Sequence, residues 1–344
     1  MEIPPLADDV RRLLVIKLRA IGDIIQSTVV TKNLRLAFPG AAIHFLTEPA
    51  GKEVLKRNPF IDGAIVYDRS FMSGLDLIQE VRRGHYDTVI DLFCNPRTAL
   101  VTRLSGAVRR VGFRFRGRTY AYNIVAEPRG DRVHNTQFNL DALEALGVPI
   151  RDRSTYFSFD SDDARFVDGF LPVAPGARPF IVCINSGGGW YTKRWGRDRF
   201  AALADRVVDK WGAKIVLAWG PGQREEAEEI QRLMGGTALV PPATTLGQLG
   251  ALLQRCSIVI TNDSGPMHIA AAVGTPVLGI YGPTDPRLQG PFGDRHVVVR
   301  NEEIDCLGCN LTKCPIGHPC MLGLGVETVL DGVRRLIAKN HITP

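Results

Sequence analysis

Leu13-Leu14-Val15-Ile16, Lys17-Leu18-Arg19-Ala20 and Ile21-Gly22-Asp23 follow one another near the start of the chain. The four apolar residues predict a buried strand and the next four a tight loop, and the apolar-periodic segment up to Phe38 predicts a helix. Pro39-Gly40 ends that helix. A strand, a loop and a helix in this order begin a parallel sheet with helices on its faces.

The same alternation continues through the chain. Predicted strands lie at 42–46 and 87–92 in the first half, and at 180–184, 214–218, 257–260 and 277–281 in the second. Predicted helices at 197–211 and 225–234 separate strands of the second half. Each half is therefore predicted to be an α/β domain with a doubly wound sheet.

A length of 344 residues favours two domains, and two domains predict a cleft. The stretch 171–176 is rich in Pro and Gly, and Asp160-Ser161-Asp162-Asp163 before it is polar, so we expect the boundary there. The predicted ranges are 1–165 and 178–325. A terminal helix within 326–344 is expected to pack back toward the first domain.

The composition predicts a globular cytosolic protein. Apolar residues make up 45% of the chain, and no run approaches the length of a membrane span. Residues 1–12 lack the apolar core of a signal peptide.

The net charge of +6 favours anionic partners. Basic residues cluster at Arg103, Arg109, Arg110, Arg114, Arg116 and Arg118, with Phe113, Phe115 and Tyr120 among them. That mixture could bind RNA, but no nucleic-acid motif accompanies it. An anionic substrate or a membrane surface is the preferred interpretation, and no nucleic-acid partner is expected.

Two loops that follow predicted strands are candidate anion sites. Thr261-Asn262-Asp263-Ser264-Gly265-Pro266-Met267-His268 opens a helix, whose free N–H groups and dipole favour a phosphate. Simple helix capping by Asp263 or Ser264 is the alternative. The second loop, 185–195, contains three consecutive glycines and Lys193 and matches neither the Walker nor the dinucleotide motif. Phosphate binding is preferred there over a plain flexible loop.

Two further loops carry weaker signals. Asp23 follows the first strand and is suited either to cap a helix or to act as a general base. On these residues alone, capping is the preferred role. Tyr281-Gly282-Pro283-Thr284-Asp285-Pro286 is typical of tight turns and is interpreted as cleft lining.

Taken together, these motifs resemble the glycosyltransferase family 9 heptosyltransferases. The similar segments are 14–17, 21–23, 192–195, 261–268 and 281–286, and they keep the family's order along the chain. The resemblance implies a GT-B fold, with the acceptor bound by the first domain and ADP-heptose by the second. It also implies inverting transfer of heptose to the lipopolysaccharide inner core, by an enzyme peripheral to the cytoplasmic face of the inner membrane.

The resemblance also implies roles for individual residues. It makes Asp23 the base, against the capping preference above. The donor site would comprise Thr192, Lys193, Glu225, Asp263, Ser264, Gly265 and His268. Lys193 and the helix at Gly265 would offset the charge of the leaving diphosphate. The acceptor site would comprise Arg19, Gly22, Arg97 and Arg114.

Metal chemistry is expected to be structural. The resemblance implies that catalysis requires no metal, and Asp160-Ser161-Asp162 is interpreted as solvated charge rather than a metal motif. Cys94, Cys183 and Cys256 lie in apolar runs, which is typical of core residues. Five soft ligands lie close together later in the chain, at Cys306, Cys309, Cys314, His318 and Cys320. In a reducing cytosol they favour metal over disulfides, so the four cysteines are candidate ligands of a structural zinc or iron ion.

Three functions stay open at this point. The first is heptosyl transfer from ADP-heptose to a lipopolysaccharide precursor at the membrane surface. The second is transfer from another nucleotide sugar, which would use the same motifs. The third is a non-catalytic, metal-stapled protein that binds glycans or nucleic acid.

Overall fold

The structure is a computed structural model that describes residues 10–171, 173 and 179–344. The chain divides into two compact units, Met1–Phe157 and Ser158–Pro344. Most of the predicted start, 1–12, and of the predicted linker, 171–176, lies outside the described residues. The domain ranges given above and their cleft stay predictions.

The first unit contains a six-stranded parallel sheet in the order β3-β2-β1-β4-β5-β6. Its strands are β1 (Arg12–Ile16), β2 (Ala42–Thr47), β3 (Gly63–Val66), β4 (Thr88–Asp91), β5 (Arg109–Phe113) and β6 (Ile124–Ala126). The connecting helices are α1 (Ile21–Ala37), α2 (Pro49–Leu55), α3 (Gly74–Arg83), α4 (Pro96–Leu104) and α5 (Asn135–Leu146), with a 3-10 helix at Thr119–Ala121.

The second unit repeats this topology in the order β12-β11-β10-β7-β8-β9. Its strands are β7 (Ile181–Asn185), β8 (Lys214–Leu217), β9 (Ala238–Leu239), β10 (Ile258–Asn262), β11 (Val277–Tyr281) and β12 (Val297–Arg300). Its helices are α6 (Ser161–Asp168), α7 (Arg197–Trp211), α8 (Arg224–Leu233), α9 (Leu246–Arg255), α10 (Gly265–Ala272), α11 (Pro286–Gln289), α12 (Pro319–Leu322) and α13 (Val326–Lys339), with a 3-10 helix at Tyr191–Lys193. The predicted α/β class with doubly wound sheets is confirmed.

The central strands are buried on both faces, which explains their continuous apolar sequence. Every residue of β7, β10 and β11 is buried. Trp195 is among the largest fully buried side chains, and its indole N–H donates to the Leu324 carbonyl at 2.9 Å. Helix α13 packs against α7, β11 and β12 of its own unit. Its predicted packing toward the first domain stays a prediction.

The polar stretch at Asp160, interpreted above as solvated charge, begins a helix. The Asp160 carboxylate accepts hydrogen bonds from the backbone N–H groups of Asp162 and Asp163, at 3.0 and 2.9 Å, and so caps α6. These carboxylates are stable in the first turn, because they face the positive end of the helix dipole.

Each sheet reverses its winding direction between two adjacent strands, and ligands of such sheets bind beyond the carboxyl ends of that pair. The pair is β1 and β4 in the first unit, and β7 and β10 in the second. The loops that follow these four strands therefore hold the candidate sites. No helix in the described ranges is both long and apolar enough to cross a bilayer.

Candidate functional site

The loops after β7 and β10 are tied together by side-chain amides. The Asn262 amide nitrogen donates to the Ser186 carbonyl at 2.6 Å, and the Asn185 amide nitrogen donates to the Ala218 carbonyl at 3.0 Å. Both asparagines are buried at the last position of their strands. The edge of the second sheet is therefore a rigid platform for the side chains that follow.

Lys193 and Asp263 form a buried ion pair on this platform. Lys193 Nζ lies 2.6 Å from Asp263 Oδ2, and the two side chains are only 13% and 7% exposed. The Thr284 hydroxyl donates to the same carboxylate oxygen at 2.7 Å, and the ammonium lies 4.3 Å from the centre of the Trp190 ring. An ion pair removed from water holds both partners in place, because separating either would leave an unpaired buried charge.

Helix α10 presents its N-terminus beside this pair. Ser264 is at the N-cap position, but its hydroxyl hydrogen-bonds the Thr261 hydroxyl (3.1 Å) and makes no capping bond. Pro266 has no N–H, so Gly265, Met267 and His268 supply the first-turn N–H groups. His268 is buried within the same turn. The Ser264 side chain therefore does not cap this helix, and the Asp263 carboxylate is bonded to Lys193 and Thr284 instead. The dipole of α10 favours an anion at this end.

Thr192 occupies the 3-10 helix next to Lys193, where it is buried and engaged. Its hydroxyl donates to the Leu311 carbonyl at 2.9 Å. The segment that contains Leu311 also contacts the loop after β11, because the N–H groups of Gly308 and Asn310 donate to the Gly282 and Pro283 carbonyls. Residues 306–320, which we name the cysteine segment, thus contact both loops that carry the Lys193–Asp263–Thr284 network.

Glu225 is exposed in the first turn of α8. Its neighbour Glu226 is the carboxylate that reaches the glycine-rich loop, through an ion pair of 3.3 Å with Arg194. The loop is also closely packed, since a methyl group on Gly187 would lie 2.4 Å from Oε1 of Gln223. The structure therefore does not bring Glu225 together with Lys193 and Asp263.

The four cysteines of the cysteine segment are free thiols. Burial raises the pKa of the Cys320 thiol, and the charges of Cys306, Cys309 and Cys314 raise it further, so the four are neighbours. Across the described ranges, no group of three or more His, Cys, Asp and Glu side chains forms a metal-binding arrangement. His318 instead packs edge-on against Tyr191, with the ring centres 4.9 Å apart. Cys94, Cys183 and Cys256 are buried as predicted.

In the first unit, Asp23 lies in the first turn of α1, and Gly22 beside it is buried. The Asp23 carboxylate accepts a hydrogen bond from the Ala20 N–H at 2.9 Å, across the loop that follows β1. Ala20 occupies the N-cap position, so Asp23 is not the N-cap residue that the sequence suggested; it binds the N-cap backbone from the third helical position. The Asp23 side chain is partly exposed.

Arg19 and Arg97 come together around Tyr67. Arg19 and Tyr67 line one cavity of about 260 Å³, together with Glu48, Asp68 and Arg69. The Arg97 guanidinium lies 5.3 Å from the centre of the Tyr67 ring. Arg97 is not among the lining residues, and Arg69 is paired with Glu48 at 3.1 Å, so Arg19 is the candidate anion-binding group of this cavity.

Arg114 is placed differently, directly after β5. Its side chain is exposed and forms an ion pair of 2.5 Å with Glu127. Two further cavities, of about 510 and 330 Å³, lie at the opposite edge of the sheet, where Asp87 precedes β4 and Arg12 begins β1. They are not part of the predicted site.

A buried network lies at the carboxyl end of β4, on the same edge of the sheet as the predicted site. The Asp91 carboxylate accepts hydrogen bonds from the Tyr122 hydroxyl (2.8 Å) and from the N–H groups of Phe93 (3.0 Å) and Cys94 (2.9 Å). Burial raises the pKa of Asp91, and burial also raises the pKa of Cys94 to about 12. The network fixes the loop that leads into α4 and Arg97.

Sequence reasoning missed several residues of these sites. Thr284 was interpreted as part of a turn, and Trp190 was given no role within the predicted phosphate-binding loop, yet both contact the Lys193–Asp263 pair. Tyr67 was not predicted at all. The position of Thr284 in the loop after the predicted strand at 277–281 was the available signal. Tyr67 directly follows β3, a strand that was not predicted.

Comparisons with known proteins fit this geometry. A family model described as glycosyltransferase family 9 (heptosyltransferase) matches residues 75–318. The chain is similar to lipopolysaccharide heptosyltransferase 3 of Escherichia coli K12, with 29% identity over 77% of this chain and 80% of that protein. It also resembles two solved structures. One is a family 9 glycosyl transferase from Veillonella parvula DSM 2008, with 25% identity, a TM-score of 0.83 and coverage of 97% and 99%. The other is E. coli heptosyltransferase WaaC with ADP, with 19% identity, a TM-score of 0.72 and coverage of 94% and 99%.

Proposed function

Because the chain belongs to glycosyltransferase family 9 and has a GT-B fold, we propose that it transfers heptose from ADP-heptose to a lipopolysaccharide core precursor. The observation that carries the proposal is the buried Lys193–Asp263–Thr284 network beside the N-terminus of α10. This arrangement suits a diphosphate, and it lies at the position where doubly wound sheets bind nucleotides.

The donor's diphosphate binds at the N-terminus of α10. The first-turn N–H groups and the Lys193 ammonium stabilise its negative charge, which increases as the bond to the sugar breaks. Charged groups that are already in position need little free energy to reorganise during the reaction. The ion pair with Asp263 holds Lys193 in such a position. Catalysis therefore needs no metal, since the helix and the ammonium group supply the positive charge.

Asp23 acts as the general base. It accepts the proton of the acceptor hydroxyl while that oxygen attacks the anomeric carbon, and ADP leaves from the opposite face, which inverts the configuration. The bond from the Ala20 N–H orients the carboxylate for this role. Capping and catalysis are thus compatible functions of one side chain.

The acceptor is anionic and lipid-linked. Arg19 and Arg97 bind its charged groups around Tyr67, and Arg114 gives a further contact at the exposed edge. Guanidinium groups suit carboxylates and phosphates, because they donate several hydrogen bonds in one plane. The enzyme works in the cytoplasm at the surface of the inner membrane.

The test is transfer measured with a panel of nucleotide sugars and a heptose-deficient lipopolysaccharide acceptor, followed by ADP release and by the mass of the product. We expect turnover with ADP-heptose and an inverted anomeric linkage in the product. Turnover with another nucleotide sugar alone would support the second candidate donor class and overturn ADP-heptose. Binding of ADP-heptose and acceptor without any product would favour a binding protein.

The cysteine segment suits a structural zinc or iron ion, since four neighbouring thiols provide soft ligands. Within the described residues these thiols do not form a metal-binding arrangement, and the proposed transfer assigns no step to such an ion. Elemental analysis of purified protein provides the test. One zinc or iron ion per chain, lost in a Cys306→Ser/Cys309→Ser variant but kept in Cys256→Ser, is expected. A metal-free protein would exclude the ion.

A further inference from the structure

The outward face of α4 is unusual for a surface helix. Leu100 and Leu104 lie one turn apart, and their exposed fractions are 44% and 38%. Arg103, which lies between them, is also exposed. The other face, with Ala99 and Val101, is buried in the unit. Surface helices usually direct charged residues outward and apolar residues inward, whereas α4 exposes leucine and arginine together.

Neighbouring elements extend this face. The 3-10 helix Thr119–Ala121 packs against α4, and its Tyr120 is 58% exposed. Helix α3 also packs against α4. Phe71, which precedes α3, and Leu75, in its first turn, are 88% and 72% exposed. We name the set Leu100, Arg103, Leu104, Arg118 and Tyr120 the α4 surface.

The charge of this region has one sign. From Leu92 to Ala126 the sequence contains no Asp or Glu, and its arginines are Arg97, Arg103, Arg109, Arg110, Arg114, Arg116 and Arg118. Arg109 is buried, and Arg110 donates to the Ala107 and Ala121 carbonyls, so these two belong to the fold. On the adjoining α3, Asp76 is bonded to Ser73 and Glu80 is paired with Arg83.

We infer that the α4 surface docks the enzyme on an anionic lipid bilayer. Exposed leucines and a tyrosine insert at the headgroup level, and the arginines bind lipid phosphates. The inference rests on the proposed function only in its purpose, which is to bring the acceptor-binding unit to a lipid-linked substrate. The contacts that carry it belong to the first unit alone.

Single-stranded nucleic acid is the competing partner, and the structure disfavours it. Stacking of bases requires exposed aromatic rings. Phe113 is fully buried and stacks on Phe138 with ring centres 3.9 Å apart, and Phe115 is partly buried. Of the three aromatic residues in the arginine cluster, Tyr120 is the one that is exposed. Exposed leucines also have no use in binding nucleic acid.

The experiment is co-sedimentation of the full chain with vesicles of phosphatidylcholine alone or mixed with phosphatidylglycerol, at low and high salt. We expect binding to the anionic vesicles that weakens at high salt. Leu100→Ser/Leu104→Ser should reduce that binding about tenfold, because two leucine side chains no longer leave water. The control Leu233→Ser/Leu322→Ser changes two leucines of similar exposure in the second unit and should bind like the wild type. Arg103→Glu should abolish the preference for anionic lipid, whereas Arg232→Glu should not.

Thermal unfolding and ADP binding of each variant show whether it is folded. Three outcomes would overturn the inference: wild-type protein that stays in solution, α4 variants that bind like the controls, or retention of oligouridylate in place of vesicles. Failure of the proposed function is distinguishable, because it would appear as missing ADP binding and turnover in protein that still binds vesicles.

Discussion

In the second unit, the carboxyl ends of β7 and β10 support a closed network in which Lys193 and Thr284 each bind the Asp263 carboxylate, at 2.6 and 2.7 Å. In the first unit, β1 and β4 occupy the equivalent positions in the strand order. Asp23 is nevertheless partly exposed there, and arginines line an open cavity. One topology thus supports two kinds of site. A fixed diphosphate favours prearranged charge, whereas a large anionic acceptor favours accessible arginines.

The largest effect is expected at Asp23, the proposed base of the open site. Asp23→Asn keeps an oxygen that can accept from the Ala20 N–H, so the fold should remain. Transfer should fall about 1,000-fold, because the proton of the acceptor hydroxyl has no base. Initial rates and ADP binding provide the measurement. Rates near those of the wild type would contradict the assignment of the base, and unchanged ADP affinity serves as the control for folding.

The closed network should determine donor affinity. Lys193→Met removes the ammonium group, leaves Asp263 buried beside Thr284, and should weaken ADP binding about 100-fold. Lys210→Met is the matched control, since Lys210 also lies over a tryptophan ring, that of Trp211, but is exposed. Isothermal titration calorimetry measures both. Equal affinity in the two variants would show that the ion pair is only structural.

The buried network at Asp91 sharpens the comparison, because it is a closed network without a predicted ligand. Burial raises the pKa of Asp91 in the folded chain above its unfolded value near 4. The contribution of Asp91 to the free energy of unfolding is therefore complete below the unfolded-state pKa and is lost as the pH rises through the folded-state pKa. The free energy of unfolding changes by at most about 1.4 kcal/mol per pH unit. Asp91→Asn should remove this contribution.

Denaturant unfolding of both proteins from acid to neutral pH gives the measurement. The free energy of unfolding of the wild type should fall relative to Asp91→Asn as the pH rises. A difference that does not change with pH would mean that Asp91 has an ordinary pKa. Asp162→Asn, at an exposed carboxylate, is the control for general charge effects.

The smallest effect is expected at the exposed rim of the open site. Arg114→Ala removes one surface ion pair, worth under about 1 kcal/mol, so thermal stability should hardly change. The KM for the acceptor should rise about threefold, as expected for one exposed charge contact, while the donor KM stays constant. Glu127→Ala breaks the same pair and should leave acceptor affinity unchanged or improved. An equal loss in both variants would point to a structural role for the pair.

The sequence predicted the central elements because their patterns are long and regular. Helix α7 and strand β11 have the predicted bounds, since their apolar residues repeat with clear periods. The edge strands were missed for a physical reason. Strand β9 has two residues and β6 has three, too few for a period. Strand β5 begins with Arg109 and Arg110, which were interpreted as part of an anion-binding cluster.

The candidate site was predicted in composition but not in connectivity. Lys193 and Asp263 were both expected to bind the donor, yet their mutual contact spans 70 positions, and no local pattern contains such a contact. Thr192 was expected to face the diphosphate, and its hydroxyl instead donates to Leu311. Side-chain partners from distant segments depend on tertiary packing, so spacing in the sequence could not predict them.

The bond between Thr192 and Leu311 also has a consequence for exchange of parts between related enzymes. A chimaera that replaced the glycine-rich loop but retained the host's cysteine segment would combine a hydroxyl and a carbonyl that had not been matched to each other. The loop after β11 must also match the cysteine segment, because the Gly282 and Pro283 carbonyls accept hydrogen bonds from the N–H groups of Gly308 and Asn310. The smallest interchangeable module of the second unit therefore runs from β7 through α12, and recombination points belong outside it.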